Sequence, residues 1–439
     1  MKLVYNIKDK PKFGQTVLFA LQQLLAIMAA TIAVPSIVGN GMSQTAALFG
    51  AGIGTLVYLL FTKFKSPVFL GSSFAFLGSM FAAFGGAASV EIGYAGLILG
   101  AAFAGLVYVI IALVVKFVGV GWINKLMPAV VIGPTVAIIG LSLAGNAVGD
   151  LMGSANENIS TYACIVCGLI TLGVTMLCSV FGKTMLKMIP FIIGILAGYA
   201  VAACFTLIGN ATGNASLQIV NFGLFSNITW MPDFTFLTAA KGLSGITGSY
   251  VATVAVAYVP VAFVVFAEHI ADHKNLSSII EKDLLEDPGL HRTLLGDGIG
   301  SFAGAIFGGC PNTTYGESVG CVAISGNASV ITILYTAILA IVVSFFGPFA
   351  IFLATIPACV MGGVCIALYG FIAVSGLKML QDVDLNDNHN LFVVSVILIA
   401  GVGGMSVSFG AVTITEVACA LILGILTNVM LGGSKKADK

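Results

Sequence analysis

Cys310-Pro311-Asn312-Thr313-Thr314-Tyr315-Gly316-Glu317 is a run of helix breakers and polar side chains set between apolar segments. Gly71-Ser72-Ser73-Phe74-Ala75-Phe76 is its counterpart in the first half of the chain. Irregular backbone of this kind survives at membrane depth only when it is buried in protein or lines a wet cavity. Each stretch therefore reads as an extended segment running into a short helix. The first turn of such a helix has N–H groups without intrahelical partners, here near the bilayer midplane.

The rest of the chain supplies the membrane. Of 439 residues, 59% are apolar and 8% are charged, and the mean hydropathy is +1.08. A soluble domain carries roughly 25% charged residues. These values exclude a disordered chain, a nucleic-acid-binding protein and a soluble enzyme of the usual kind, and they describe an all-α polytopic membrane protein. A span needs about 20 apolar residues. Polar interruptions then cut the chain into about fourteen pieces: 15–38, 45–61, 67–85, 93–115, 127–146, 160–180, 187–208, 239–267, 294–309, 310–326, 328–349, 356–379, 391–409 and 411–432. The stretches 209–235 and 272–293 are too short for a separate soluble domain. Strand alternation of the barrel type is absent. The run that follows Lys2, Lys8, Lys10 and Lys12 reaches Val38, too long for a cleaved signal, and is taken as the first span. The nine cysteines lie almost entirely in apolar pieces, so no disulfide framework is expected, and Cys164 and Cys167 read as packing.

Basic residues fix an orientation. With an internal N-terminus and fourteen spans, Lys63, Lys65, Lys116, Lys125, Lys183, Lys187, Lys274, Lys282, Arg292, Lys378, Lys435, Lys436 and Lys439 all fall on the cytoplasmic side. Loops 147–159 and 209–235 contain no Lys or Arg, and Lys241 is the exception. Both termini are expected inside. Pro128-Ala129-Val130-Val131-Ile132-Gly133 matches Pro357-Ala358-Cys359-Val360-Met361-Gly362 at an offset of seven spans. An odd offset makes the second copy inverted, as in secondary transporters. The two polar stretches, in the third and tenth spans, obey the same offset and mark where a site belongs.

Glu268 and Glu317 are carboxylates at membrane depth, a functional hypothesis by default. Asp272 lies four residues after Glu268, on the same helical face. Glu416 reads as a packing residue or a shifted boundary, and Glu91 and Asp297 as residues near span ends. No Lys or Arg falls in the middle of an expected span, which favours a neutral polar ligand with N–H donors. His269 and His273 flank an acid at metal-like spacing, but Lys274 and the polar run beyond make a helix end the better reading. No metal and no cofactor are expected.

On these residues the chain resembles the nucleobase–ascorbate transporter family, also called nucleobase–cation symporter type 2, and most of all its bacterial uracil-transporting branch. The anchors are Gln22 with Ala29-Ala30-Thr31-Ile32-Ala33-Val34-Pro35, Leu70 to Phe76, Ala267-Glu268-His269, Lys282-Asp283-Leu284-Leu285, Asp287-Pro288-Gly289-Leu290-His291-Arg292, Pro311 to Glu317, and Gly362-Gly363-Val364 leading to Leu368-Tyr369-Gly370. The resemblance implies fourteen spans in two inverted repeats of seven, with short strands in the broken spans 3 and 10. Residues 1–118 and 235–353 would form a core domain (spans 1–4 and 8–11), and 119–234 and 354–439 a gate domain (spans 5–7 and 12–14). It implies a proton-coupled symporter that imports uracil across the cytoplasmic (inner) membrane by alternating access, the alternative substrate being xanthine, urate or another nucleobase. Glu268 would be the substrate and proton-coupling carboxylate, with Asp272 beside it, and Glu317 a second substrate carboxylate. Phe74 and Gly316 would give backbone contacts, and Ala30, Tyr315 and Tyr369 would line the pocket. The partners are then uracil, protons and the lipid bilayer, with a homodimer left open and no nucleic acid. The chain also departs from the family pattern. The family's Gln-His pair is Gln22-Gln23 here, the His that its uracil-transporting branch can carry four positions after the eighth-span Glu is Asp272 with His273 displaced by one, and the Asn and Thr of its signature are Ser318 and Ser325.

Overall fold

The structure is a computed structural model that describes residues 3–119, 121–153, 158–183, 186, 189–226, 228–381, 383–409 and 412–432. Lys2, Lys187, Lys435, Lys436 and Lys439 lie outside the described residues, as does the side chain of Lys125. In chain order, α1 (Phe13–Val38) and α2 (Gln44–Phe61) lead to β1 (Leu70–Ser72), a 3-10 turn at Phe74–Phe76, α3 (Leu77–Gly85) and α4 (Val90–Val118). Then come α5 (Gly121–Leu126), α6 (Ala129–Ser142), α7 (Ala144–Leu151), α8 (Thr161–Phe181) and α9 (Pro190–Thr212). The second half has α10 (Thr235–Gly242), α11 (Gly248–Ile280), α12 (Leu290–Gly308), β2 (Asn312–Thr314), α13 (Gly316–Ser325), α14 (Val330–Ser344) and α15 (Gly347–Thr355). It closes with α16 (Ala358–Lys378), α17 (Asn388–Val402), the hairpin of β3 (Val407–Phe409) and β4 (Val412–Ile414), and α18 (Glu416–Gly432).

Helix starts follow local chemistry. The hydroxyls of Ser43, Ser89 and Thr247 accept first-turn N–H groups of α2, α4 and α11. Pro128 and Pro357 occupy the N-cap positions of α6 and α16, the two segments matched in sequence. Among the described residues, eight helices are long and apolar enough to cross a membrane, or nine if α14 and α15, bent by 82°, count as one. The chain is thus a mostly helical, multi-pass membrane protein. That is fewer than the fourteen pieces expected from hydropathy, and the difference has local causes. Strands take the first part of two expected spans, leaving α3 at nine residues and α13 at ten. The bend at Phe345-Phe346 divides a third.

Glycines let backbones touch along two seams. α12 packs between α2 and α4, where a Cβ on Gly105 would lie 2.8 Å from the carbonyl oxygen of Gly298, and Gly50 meets Gly304 still more closely. α6 packs on α16, where a Cβ on Gly133 would lie 2.9 Å from the oxygen of Gly376. The outer faces of α8 and α9 expose Leu169, Leu177, Leu196 and Leu207, suiting them to lipid.

Candidate functional site

The two polar stretches meet. β1 and β2 pair antiparallel, Leu70 opposite Thr314, Gly71 opposite Thr313 and Ser72 opposite Asn312. Side-chain hydrogen bonds tie the pair to α2: Leu70 N–H donates to Thr55 Oγ1 at 2.9 Å, and Asn312 Nδ2 donates to the oxygen of Gly50 at 3.0 Å. The N–H of Ser73 donates to the oxygen of Pro311 at 2.9 Å, which brings the two helix starts side by side. Gly71 has no room for a Cβ, because the ring of Tyr315 lies against it. Tyr315 Oη donates to the oxygen of Ser72 at 2.7 Å.

Beside this crossing lies a cavity of about 340 Å³. One wall comes from α1, α11 and α13 and carries Ala26, Glu268, Asp272, Gly316, Glu317 and Cys321. The other comes from α6, α8, α9 and α16, with Val136, Ser179, Phe191, Phe371 and Ser375. Three carboxylates thus face one space, and among the described residues no Lys or Arg lines it. Thr314 Oγ1 donates to Asp272 Oδ2 at 2.8 Å, tying α11 to the strand crossing. The first turn of α13 opens at Gly316, so its free N–H groups start at the cavity wall.

Of the residues singled out in sequence, Glu268, Asp272, Gly316 and Glu317 line the cavity. Ala30, Phe74, Tyr315 and Tyr369 do not line it and are buried by protein. The rings of Phe74 and Tyr369 meet edge-on, centroids 5.6 Å apart, joining the turn after β1 to α16.

A buried network behind Glu268 escapes the sequence reading. α11 does not end near His269 and runs on to Ile280, and His269 and His273 are fully buried, their rings stacked at 4.0 Å. Asp297, expected near a span end, is buried within α12, with Oδ2 2.7 Å from His269 Nδ1. Thr293 donates its hydroxyl proton to the oxygen of Leu290, so at 2.9 Å it accepts from His269 Nε2. The imidazole and the carboxyl therefore share one proton between Nδ1 and Oδ2. His273 donates from Nδ1 to the oxygen of His269, and its Nε2 lies 2.7 Å from Tyr58 Oη. The sequence signal was Asp297 between Gly296 and Gly298, small neighbours that let a facing helix approach. Among the described residues, no group of three or more His, Cys, Asp or Glu side chains is arranged to hold a metal.

Comparison with known proteins adds three findings. A family model described as "Permease family", of the xanthine/uracil permease type, matches residues 14–409. The uracil permease of Bacillus caldolyticus is 39% identical over 99% of this chain and 96% of its own length, and that of Escherichia coli (strain K12) is 36% identical over 96% and 92%. Among solved structures, the transmembrane domain of a cyanobacterial bicarbonate transporter superposes with a TM-score of 0.64 at 17% identity, covering 96% of this chain and 99% of that one. At that identity the likeness speaks for the fold alone.

Proposed function

The chain belongs to the nucleobase–ascorbate transporter family, and from that premise we propose that it imports uracil by proton-coupled alternating access. It is a transporter and not an enzyme, as its relatives are permeases. The observation that carries the reading is the cavity in which Glu268, Asp272 and Glu317 converge beside Gly316, with no basic side chain among the described residues that line it. Uracil is neutral at pH 7, with two ring N–H donors and two carbonyl acceptors. In this reading Glu268 and Glu317 accept the ring N–H groups and the N–H of Gly316 donates to a carbonyl, while Phe74, behind the cavity wall in this structure, offers its N–H once its contact with Tyr369 opens. Tyr315 backs the strand crossing, Ala30 packs behind it, and the Phe74–Tyr369 contact is the closed gate on the far side. Glu268 takes up the transported proton, with Asp272 as its neighbour one turn on.

The same reading extends to architecture. Eight long spans and the bent α14–α15 pair are joined by five shorter or more polar helices: the Phe74–Gly85 segment, α12, α13, α17 and α18. Together they support fourteen membrane segments as two inverted sets of seven, with core segments at 1–118 and 235–353 and gate segments at 119–234 and 354–439. An even count puts both termini on one side, and the distribution of Lys and Arg supports the cytoplasm as that side. The test is uptake of radiolabelled uracil into proteoliposomes, with thymine, xanthine and urate as competitors. An acid exterior should drive accumulation, and a protonophore should abolish it. Accumulation indifferent to the gradient would remove the coupling, and stronger competition by xanthine or urate than by uracil would change the substrate.

A further inference from the structure

The first turn of α12 carries His291 and Arg292 and no acidic residue. That is the wrong sign for a helix start, whose free N–H groups already make it positive. A Cβ on Gly105 would meet Gly298 and Phe302, and one on Gly298 would meet Tyr108, so α4 and α12 run in opposite directions along their seam. Lys116, beyond Gly105 on α4, therefore reaches the same end as Arg292, which precedes Gly298 on α12. The charges of Arg292 and Lys116 both act on His291. Arg292 Nη1 donates to the oxygen of Phe61, the last residue of α2, at 3.5 Å, which leaves most of the guanidinium N–H groups for another acceptor. The acid of the neighbouring linker is already taken, because Asp287 is held by Lys65 and Lys282. Among the described residues, neither Arg292 nor Lys116 forms an ion pair.

α4 continues this cluster into the membrane. Leu106, Ile110, Leu113 and Phe117 are exposed at i, i+4, i+7 and i+11, one face of a helix. Tyr108, Ile111, Ala112 and Val115 of the same helix are buried. The exposed stripe is about 16 Å long at the rise of an α-helix, about half the hydrocarbon thickness of a bilayer and so the depth of one leaflet. At its end the ammonium of Lys116 lies over the ring of Phe117, 5.5 Å from the centroid. We infer that Lys116, His291 and Arg292 form a site for the phosphate of an anionic phospholipid, with an acyl chain laid along the α4 stripe. Its leaflet is the inner one in the orientation proposed above. A headgroup with net negative charge suits the site, because cationic side chains and a helix N-terminus meet there without an acid. A zwitterionic headgroup brings its own cation and gains less. The bound lipid closes the end of the seam between α4 and α12.

The experiment titrates the full chain, delipidated in a nonionic detergent, with phosphatidylglycerol or with phosphatidylcholine of the same chains, and counts bound lipid by native mass spectrometry. One phosphatidylglycerol should bind at least about tenfold more tightly than phosphatidylcholine. A cation near the membrane surface contributes about fivefold, so Lys116→Gln and Arg292→Gln should each cost about that much. Together they should bring phosphatidylglycerol down to the affinity of phosphatidylcholine. Lys378→Gln, an exposed lysine at the end of α16, should change nothing. Equal binding of the two lipids to wild type would overturn the inference. Lys116 is exposed and its replacement should fold, so an unchanged lipid preference in Lys116→Gln alone would also overturn it. Displacement of the lipid by millimolar inorganic phosphate or glycerol phosphate, which carry the charge without the chains, would do the same and leave a site for soluble phosphate.

Discussion

Replacing Gly316 separates a substrate contact from a fold contact, because the two respond with opposite sign. A Cβ built there has Asp272 Oδ1 as its nearest heavy atom, at 3.8 Å, ordinary van der Waals distance. The position opens α13 with a φ that any residue accepts. Gly316→Ala should therefore stabilise the folded protein by about 0.4–1 kcal/mol through the unfolded chain, a rise in melting temperature of roughly 0.4–1 °C for a chain of this length. The same methyl group projects toward the cavity and pushes substrate off the backbone N–H. Loss of one neutral hydrogen bond is worth about 0.5–1.5 kcal/mol, or about two- to twelvefold in affinity. Gly316→Val adds two further carbons and should exceed that range. Phe74→Leu, whose N–H survives, should keep measurable binding. The assay pairs equilibrium binding of labelled uracil to purified protein with a thermal melt of the same sample. Wild-type affinity in both Gly316 variants would refute the backbone contact. A fall in melting temperature for Gly316→Ala would refute the packing argument.

Glu317→Gln should weaken uracil binding about ten- to a hundredfold, the loss of a charge-assisted hydrogen bond, while keeping its pH dependence. Glu268→Gln should instead flatten the dependence of uptake on pH, and the reverse pattern across a pH series would exchange the two roles. Asp297→Ala leaves a buried imidazole unpaired and should cost about 3–5 kcal/mol of stability; an unchanged denaturation midpoint would refute the shared-proton account. Asp287, in the linker between α11 and α12, accepts from Lys282 Nζ at 2.8 Å and Lys65 Nζ at 2.6 Å, which hold its carboxyl down at about 2. A depressed carboxyl stabilises the protein above the ordinary Asp range, near pH 4, and that contribution is lost as pH falls toward 2. The group is partly exposed, so Asp287→Asn should lower the melting temperature only slightly at neutral pH, and high salt should erase the difference.

Hydropathy reads the long helices well because it reports the property that holds them in lipid. The pieces at 15–38 and 45–61 differ by only one or two residues from α1 and α2. It is blind to direction. The expected piece at 328–349 stops inside α15, because composition does not change across the bend that separates α15 from α14. It also misreads polar side chains whose partners are distant in sequence. His269 with Asp272 and Lys274 looks like a membrane boundary until Asp297, 28 positions away, is seen to pair with it. At the cavity, Glu268, Asp272 and Glu317 are legible as acids in or next to apolar runs, and Gly316 as part of a helix break. Ala30, Phe74, Tyr315 and Tyr369 rest on family likeness, and in this structure they stand behind the wall.

The glycine seams make the molecule stiff in some directions and compliant in others. Where Gly50 meets Gly304 and Gly105 meets Gly298, main chain rests on main chain, and sliding by a single residue would drive side chains into backbone. The α6–α16 seam is locked in the same manner at Gly133 and Gly376. Each bundle therefore behaves as a plate that tilts or translates whole. The surface where the plates face one another at the cavity is lined by side chains, which can rotate out of the way. On the proposed alternating-access reading, displacement concentrates at that joint, so a rigid crosslink placed across it should arrest uptake, whereas one placed along either seam should leave uptake intact.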